Sequence, residues 1–265
     1  MRFLMMLMLI STAHAQVAVG TRSLALNSQQ AMVAESAGTV FLNPSLLLEQ
    51  SQFSAWASYF QPFNLAELRV VATAAHYNQR RIAAGLGLQQ FGNTLYTEQT
   101  IIFAFAVAPL TSLHAGISGR WQQISIARHG TASRPALDAG LRLRVDENVA
   151  IGVLARNVVA GRFGHSAERP ARELLTAARI RLNGMATLFA EIAQQPYFDT
   201  EFRFAVELAP VPMLALRIGT GLNTPQAFAA GFGLQVTSLH LHYALQNHPA
   251  LPQTHIFSIA IERGK

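Results

Sequence analysis

Short segments in which apolar and polar residues alternate fill this chain from residue 51 to residue 263. Around residue 140, Leu137, Leu141 and Leu143 fall on one face of a strand while Asp138 and Arg142 fall on the other, because successive side chains of a strand point to opposite faces. Strands of this kind can close into a barrel that turns its apolar face outward and encloses its charges. This polarity is typical of a transmembrane β-barrel and is the reverse of a soluble one.

The pattern predicts an all-β fold with an antiparallel barrel of fourteen strands. Most of the segments approach the roughly 9–11 residues that a tilted strand needs to cross a membrane. No part of the chain after residue 15 is apolar enough to predict a transmembrane helix, so a closed barrel is the remaining way to span a bilayer. The predicted strands are 51–60, 68–77, 81–91, 99–108, 113–124, 136–145, 149–157, 173–182, 185–194, 201–209, 213–222, 227–236, 239–246 and 254–263.

The connections between these segments differ in length on the two sides of the predicted barrel. After even-numbered strands they are short, and Asn183-Gly184 is the strongest two-residue hairpin signal because both residues tolerate positive φ. After most odd-numbered strands we predict longer loops, at 92–98, 127–135, 158–172 and 247–253. This asymmetry is typical of bacterial outer-membrane barrels, whose termini and short turns face the periplasm.

Residues 1–15 carry the features of an export signal. Arg2 precedes the apolar run 3–10, and Ala13-His14-Ala15 provides small residues around a cleavage site. We therefore expect the exported chain to begin at Gln16 and to reach the bacterial outer membrane, with outer-membrane lipid as its surroundings. The predicted domains are the signal peptide 1–15, an N-terminal plug or hatch 16–50 and the barrel 51–265.

Composition and motifs exclude several function classes. The net charge of +6 could favour nucleic acid, but Lys265 is the single lysine and the arginines are dispersed along strands, so no nucleic-acid partner is expected. The chain has no cysteine and no phosphate loop, nucleophile elbow or specifiable Ser-His-acid set. His240 and His242 share one strand face, but no third metal ligand follows from spacing. We predict no enzyme activity, cofactor or metal site.

The inward strand faces concentrate charge, because an arginine facing the middle of a bilayer would cost roughly 2–4 kcal/mol. Two interpretations are open. The charges could form a positive constriction that attracts anions, or an arginine–carboxylate lattice that fills the lumen and stiffens the barrel; the lattice is favoured. The lattice residues are Arg81, Arg142, Arg144, Arg179, Arg181, Arg217, Glu191, Glu207 and Glu262, and Arg69, Arg120, Arg156, Arg203 and Asp138 are also predicted to face inward.

Residues 16–50 are too long for an ordinary tail, and they contain the turn Asn43-Pro44 followed by Leu46 and Leu47. Apolar residues around a polar turn suggest a segment inserted into a pocket. Many inward positions of the barrel are small and would leave room for it, namely Gly85, Gly87, Gly116, Gly152, Gly219, Gly231 and Gly233. We therefore predict that this segment plugs the lumen through Asn43, Pro44, Leu46 and Leu47.

Several motifs give the chain a family resemblance. Residues 37–47, AGTVFLNPSLL, resemble the N-terminal signature of FadL-type barrels and their PorV/PorQ relatives. Further similar stretches are 85–92, 216–223, 231–234 and 240–259, and the last, with its Tyr-Ala strand and THxxS sequence, most resembles PorV/PorQ. The resemblance also implies a barrel of fourteen strands.

The PorV/PorQ resemblance implies a structural or shuttle component of a type IX-like secretion system, with secretion-system proteins as partners. The alternative implied by the FadL resemblance is a passive channel for hydrophobic or amphipathic small molecules, gated by an N-terminal hatch. The two hypotheses share one fold and differ in partner and cargo.

Overall fold

The chain forms a closed barrel of fourteen antiparallel strands, in a computed structural model that describes residues 19–164 and 170–264. Each strand pairs with its neighbours in sequence, and the last strand closes the barrel by pairing with the first. The predicted fold class and strand number are confirmed. The predicted signal peptide and its cleavage site lie outside the described residues.

The strand bounds agree with the alternation to within a few residues at most ends. The strands are β1 (Phe53–Phe60), β2 (Val70–Gln79), β3 (Ile82–Gly92), β4 (Tyr96–Val107), β5 (Leu113–Ile126), β6 (Gly130–Arg144), β7 (Val149–Ala160), β8 (Glu173–Leu182), β9 (Ala186–Gln194), β10 (Glu201–Val211), β11 (Leu214–Leu222), β12 (Phe228–Val236), β13 (Leu239–Asn247) and β14 (Thr254–Arg263). The helix α1 (Thr21–Ala25) and the 3₁₀ helices Ser36–Phe41, Pro44–Glu49, Pro62–Asn64 and Ala66–Leu68 complete the structure.

The two faces of the wall have the predicted polarity. On β6, Leu137 and Leu141 are exposed on the outer surface, whereas Asp138 and Arg142 are buried on the inner one. Large exposed hydrophobic side chains recur along the outward faces of the other strands. Since apolar groups gain from contact with lipid and charged groups do not, this outer surface suits a membrane.

The hairpin of β5 and β6 differs from the prediction. We predicted a long loop at 127–135, but β5 continues to Ile126 and β6 begins at Gly130. Residues in the extension pair across the hairpin, as Ser125 does with Thr131. The apolar alternation stops there because no lipid faces the extension, while backbone pairing needs no apolar face. The loop is therefore a short turn.

Local backbone features also follow from the sequence. Asn183 and Gly184 both adopt positive φ, at 47° and 67°, as the predicted tight turn requires. A bulge interrupts the pairing of β6 with β7, where Asn157 has a φ of 54°. The backbone N–H of Asn157 donates to the Asp138 carboxylate at 2.8 Å, so an inward-facing charge satisfies a backbone group released by the bulge.

Residues 19–50, hereafter the N-terminal segment, lie inside the barrel. Nearly all of them are buried, and α1 contacts β11 to β14 while the helices Ser36–Phe41 and Pro44–Glu49 contact β1 to β6. None of the helices in the described residues is long and apolar enough to cross a membrane. The segment therefore occupies much of the space that the wall encloses.

Candidate functional site in the barrel lumen

Glycines on the inner wall allow the N-terminal segment to approach the strands closely. A Cβ at Gly116 would lie 2.6 Å from the backbone nitrogen of Ser45, and one at Gly219 would lie 2.7 Å from the carbonyl carbon of Leu26. Such distances are too short for real atoms, so these positions require glycine as long as the segment stays in place. Other inward glycines that meet the segment are Gly85, Gly87, Gly140, Gly152, Gly221 and Gly231, whereas Gly233 faces Arg217 and His242.

The predicted plug motif is buried at the centre of the segment. The side chain of Asn43 accepts a hydrogen bond from Ser45 N at 3.1 Å and so caps the helix that begins at Pro44. Its amide nitrogen donates to the carbonyl of Val153 on β7 at 3.2 Å. Leu46 and Leu47 are fully buried and belong to two different apolar clusters of the lumen. The structure thus brings all four motif residues into contact with their surroundings inside the barrel.

Glu35 is a central residue that the sequence reasoning missed. Its carboxylate accepts hydrogen bonds from the backbone N–H groups of Thr21 and Arg22, at 3.0 and 2.7 Å. It also accepts from Trp56 Nε1 at 3.1 Å and from Ser258 Oγ at 3.0 Å, which attaches the segment to β1 and β14. Burial raises the pKa of Glu35 despite these donors. The available signal was a lone acid within a stretch of small and apolar residues.

Glu207 and Arg217, two predicted lattice residues, meet a third charge from the segment. Arg217 Nε lies 2.6 Å from Glu207 Oε2, and Arg22 donates to both carboxylate oxygens at 2.8 and 2.5 Å. Arg22 Nη1 also donates to the carbonyl of Ala34 at 2.7 Å. The pair on the wall therefore anchors the segment.

Glu49, at the end of the segment, bridges two predicted lattice arginines. Arg179 donates to its two oxygens at 2.7 and 3.1 Å, and Arg142 Nε lies 2.7 Å from Oε1. Burial favours a higher pKa for Glu49, but the hydrogen bonds and charge of Arg179, with the charge of Arg142, outweigh it and hold the pKa below its ordinary value. The charged form of Glu49 is therefore stabilised when the segment is docked.

Glu191, on β9, binds the backbone of the segment. Its Oε2 accepts from the N–H groups of Gln30 and Ala31, both at 2.7 Å, and its Oε1 lies 3.0 Å from Arg203 Nη1. Arg203 Nη1 also donates to the carbonyl of Ser28 at 2.7 Å. Backbone groups of the segment that have no partner in a helix or strand are satisfied here by charged side chains of the wall.

The remaining predicted lattice residues are less closely engaged. Glu262 accepts a hydrogen bond from Ser36 Oγ and lies 3.8 Å from His240 Nε2. Arg81, Arg144 and Arg181 are exposed near the short turns, and in the described ranges no carboxylate forms an ion pair with any of them.

Of two further arginines that were predicted to face inward, one does so and the other does not. Arg120 follows the prediction and pairs with Asp138 across β5 and β6 at 2.8 Å, without help from the segment. Arg69 does not follow it, because it precedes β2, is exposed, and has the parity opposite to the buried Val70. The predicted strand began two residues early, and the prediction also assigned Arg69 to the wrong face. For the histidine pair, no metal-binding group of three His, Asp or Glu side chains occurs within 19–164 and 170–264.

The segment also packs against apolar residues of the wall. Val40, Phe41 and Leu47 of the segment pack in one cluster with wall residues such as Trp56 and Ile102. The cluster extends along β1 to β4, β13 and β14, where many inward residues are alanine. A second apolar cluster joins Met32 and Leu46 to Leu154 and Leu175 of β7 and β8, so apolar contacts hold the segment in addition to the charges and hydrogen bonds.

Comparison with known proteins supports the fold. No protein-family model and no curated protein matches the chain. Among solved structures, it is similar to the toluene transporter TbuX of Ralstonia pickettii, with a TM-score of 0.69 and 11% identity over 92% of this chain and 98% of that one. It is also similar to the CymD monoaromatic hydrocarbon channel, with a TM-score of 0.70 and 12% identity over 94% and 98%. A FadL homologue from Pseudomonas aeruginosa gives 0.61 and 8% over 91% and 97%.

At these identities the likeness concerns the fold, which is that of FadL-type barrels. The similar proteins are transporters and channels, and none is described as an enzyme. Of the two branches in the sequence resemblance, the FadL branch has structural support, and no match supports PorV/PorQ specifically.

Proposed function

We propose that this protein is a passive outer-membrane channel for hydrophobic small molecules and that the N-terminal segment is its hatch. The observation that carries the proposal is the apolar contact between the wall along β1 to β4, β13 and β14 and an apolar face of the segment. A pore for hydrated solutes would instead need a continuous polar path. The hydrocarbon channels that share the fold are consistent with this proposal.

To open, the hatch would break its apolar contacts with the wall and keep some of its polar contacts. The rings of Phe41 and Trp56 are in contact, with centroids 5.9 Å apart and planes tilted by 50°, and many neighbouring wall side chains are alanines. Apolar contacts lack direction, so a hydrophobic solute can replace them at little cost. The polar anchors at Glu191 and Glu207 would hold the rest of the segment in the barrel.

Uptake of the hydrophobic dye N-phenyl-1-naphthylamine by bacteria with an intact outer membrane tests this function. Cells that produce the protein should take up the dye several-fold faster than cells with an empty vector, while hydrolysis of the hydrophilic substrate nitrocefin by periplasmic β-lactamase stays unchanged. An equal rise in both would indicate a damaged membrane or a water-filled pore, and no rise in dye uptake would refute the channel.

The type IX secretion role rests on the sequence resemblance, chiefly that of residues 240–259, and the channel is the better supported hypothesis. The secretion role has its own test. Deleting the gene should alter the cell-surface proteome if the protein serves secretion, and an unchanged proteome by mass spectrometry would exclude that role.

A further inference from the structure

Four arginines gather at the short-turn ends of β6 and β8. Arg142 and Arg144 alternate toward the lumen on β6, and Arg179 and Arg181 do the same on β8. Arg144 and Arg179 both pair with Ala150 of the intervening β7, so their Cα atoms lie about 10 Å apart.

These four arginines, hereafter the arginine quartet, exceed the negative charge that faces them. Glu49 is the one carboxylate in the described residues that forms ion pairs with the quartet, and it pairs with Arg142 and Arg179 alone. Arg142 is 7% exposed, and its Nε lies 2.7 Å from Glu49 Oε1. Arg144 and Arg181 form no ion pair with a carboxylate of the described residues, so the quartet has capacity for more negative charge.

Two members of the quartet, Arg179 and Arg181, face a cavity that a ligand can enter. The cavity has a volume of about 1130 Å³, lies at the short-turn mouth of the barrel, and is lined by Arg179, Arg181 and Glu49 among other residues. Its other charged residues are Arg22, Arg80, Glu207 and Glu262. Glu207 is already held by Arg22 and Arg217, so it does not neutralise the quartet.

We propose that the arginine quartet binds a multiply charged oxyanion, such as a phosphate group, and that Glu49 is the resident anion of this site. Guanidinium groups bind phosphate oxygens through paired, charge-assisted hydrogen bonds. A dianion matches four arginines better than one carboxylate does. Binding at the site competes with Glu49 and so loosens the end of the N-terminal segment. The site is independent of which solute crosses the barrel.

Titration calorimetry of the full exported chain in a non-ionic detergent tests the site, with inorganic pyrophosphate as the probe. Arg181→Gln removes an exposed member of the quartet and should weaken binding at least about threefold. Glu49→Gln removes the resident charge and should strengthen binding about tenfold. Arg128→Gln, an exposed arginine in the turn between β5 and β6, is the control and should leave binding unchanged.

The competition between the anion and Glu49 for the arginines can be measured separately. Saturating pyrophosphate should increase hydrogen exchange at the Gln50 N–H, which donates to the Leu47 carbonyl at 3.2 Å. Absence of pyrophosphate binding, an affinity that neither Arg181→Gln nor Glu49→Gln changes, or equal weakening by Arg128→Gln would overturn the proposal.

A second probe distinguishes a lipid headgroup from a free anion. Short-chain phosphatidic acid below its micellar concentration should bind the same site, and Arg181→Gln should weaken it to the same extent. If phosphatidic acid binds much more tightly than pyrophosphate, the site is supported with a lipid headgroup as its source of phosphate. If the two bind equally tightly, the site is supported with a free anion as its ligand. The site would be contradicted if Arg181→Gln left the affinity for phosphatidic acid unchanged and pyrophosphate did not bind.

Discussion

At Gly116 the backbone of the N-terminal segment touches the wall, and a single methyl group is enough to separate them. In Gly116→Ala the new Cβ would lie 2.6 Å from Ser45 N and 2.7 Å from the carbonyl carbon of Pro44. Backbone atoms cannot move as cheaply as a flexible side chain, so we expect docking to weaken by about 1–3 kcal/mol. Faster hydrogen exchange in residues 44–46 measures this effect.

Gly119→Ala on the same strand is the matched control. A Cβ at Gly119 would meet nothing closer than Leu137 Cδ2 at 3.7 Å, which is an ordinary contact. This variant should therefore exchange like the wild type in residues 44–46. If both alanine variants exchange alike, the close approach at Gly116 does not determine the position of the segment.

The sequence predicts which single residues face the lumen better than it predicts their partners. Alternation identifies Arg142 and Arg179 as inward, and the structure places both on Glu49. Nothing in the spacing identifies Glu49 as their partner, or Glu35 as a residue that accepts hydrogen bonds from several elements. Those contacts depend on the path of a segment without regular periodicity, and on strands that meet only after the barrel closes.

The N-terminal segment should dock more weakly in acid because of Glu49. Its pKa is held below the ordinary value near 4.5 in the docked state, so its contribution is complete above that value and is lost as the pH falls through the lowered pKa. Arg142 and Arg179 face the carboxylate, with His114 nearby. Protection factors from hydrogen exchange in residues 44–50, corrected for intrinsic rates, should fall as the pH drops below 4.5.

The variant Glu49→Gln separates the pH dependence of docking that Glu49 causes from the pH dependence that Glu35 causes. Burial raises the pKa of Glu35, so acid acts on that residue in the opposite direction and favours docking. The glutamine variant should be less protected at neutral pH and should lose little further protection in acid. A wild type and a variant with parallel pH profiles would show that Glu49 does not couple docking to pH.

Among the elements, the strands are predicted well and the loops less well. Inside the membrane, lipid on one face and lumen on the other impose a period of two on the sequence. Beyond the membrane this constraint ends, and β5 and β6 continue as a polar hairpin that the pattern does not mark. The start of β2 was predicted two residues early, and Arg69 was assigned to the wrong face, since it precedes the strand and has the parity opposite to the buried Val70.

For the whole molecule, the alternation determines the architecture but not the task. Fourteen strands, inverted polarity and inward glycines follow from the sequence, and the barrel has them. The choice between secretion and transport does not follow, because one barrel can serve both and the difference lies in what occupies the lumen. The apolar contact between the segment and one side of the wall became visible only in the folded chain.

The most direct test of the hatch is to lock it. The chain has no cysteine, so Val40→Cys with Gly85→Cys allows one disulfide. A Cβ at Gly85 would lie 2.5 Å from Val40 Cγ2, close enough for a bridge with Cβ atoms about 3.5–4.5 Å apart. Val40→Cys alone is the control and should not respond to reductant.

Uptake of N-phenyl-1-naphthylamine by cells that carry the double variant is the deciding measurement. If the segment is the hatch of a hydrophobic channel, uptake should fall to the empty-vector level when the disulfide is formed. It should return to the wild-type rate when the disulfide is reduced. Equal, rapid uptake by the oxidised and reduced forms, with the disulfide verified by mass spectrometry, would contradict the account.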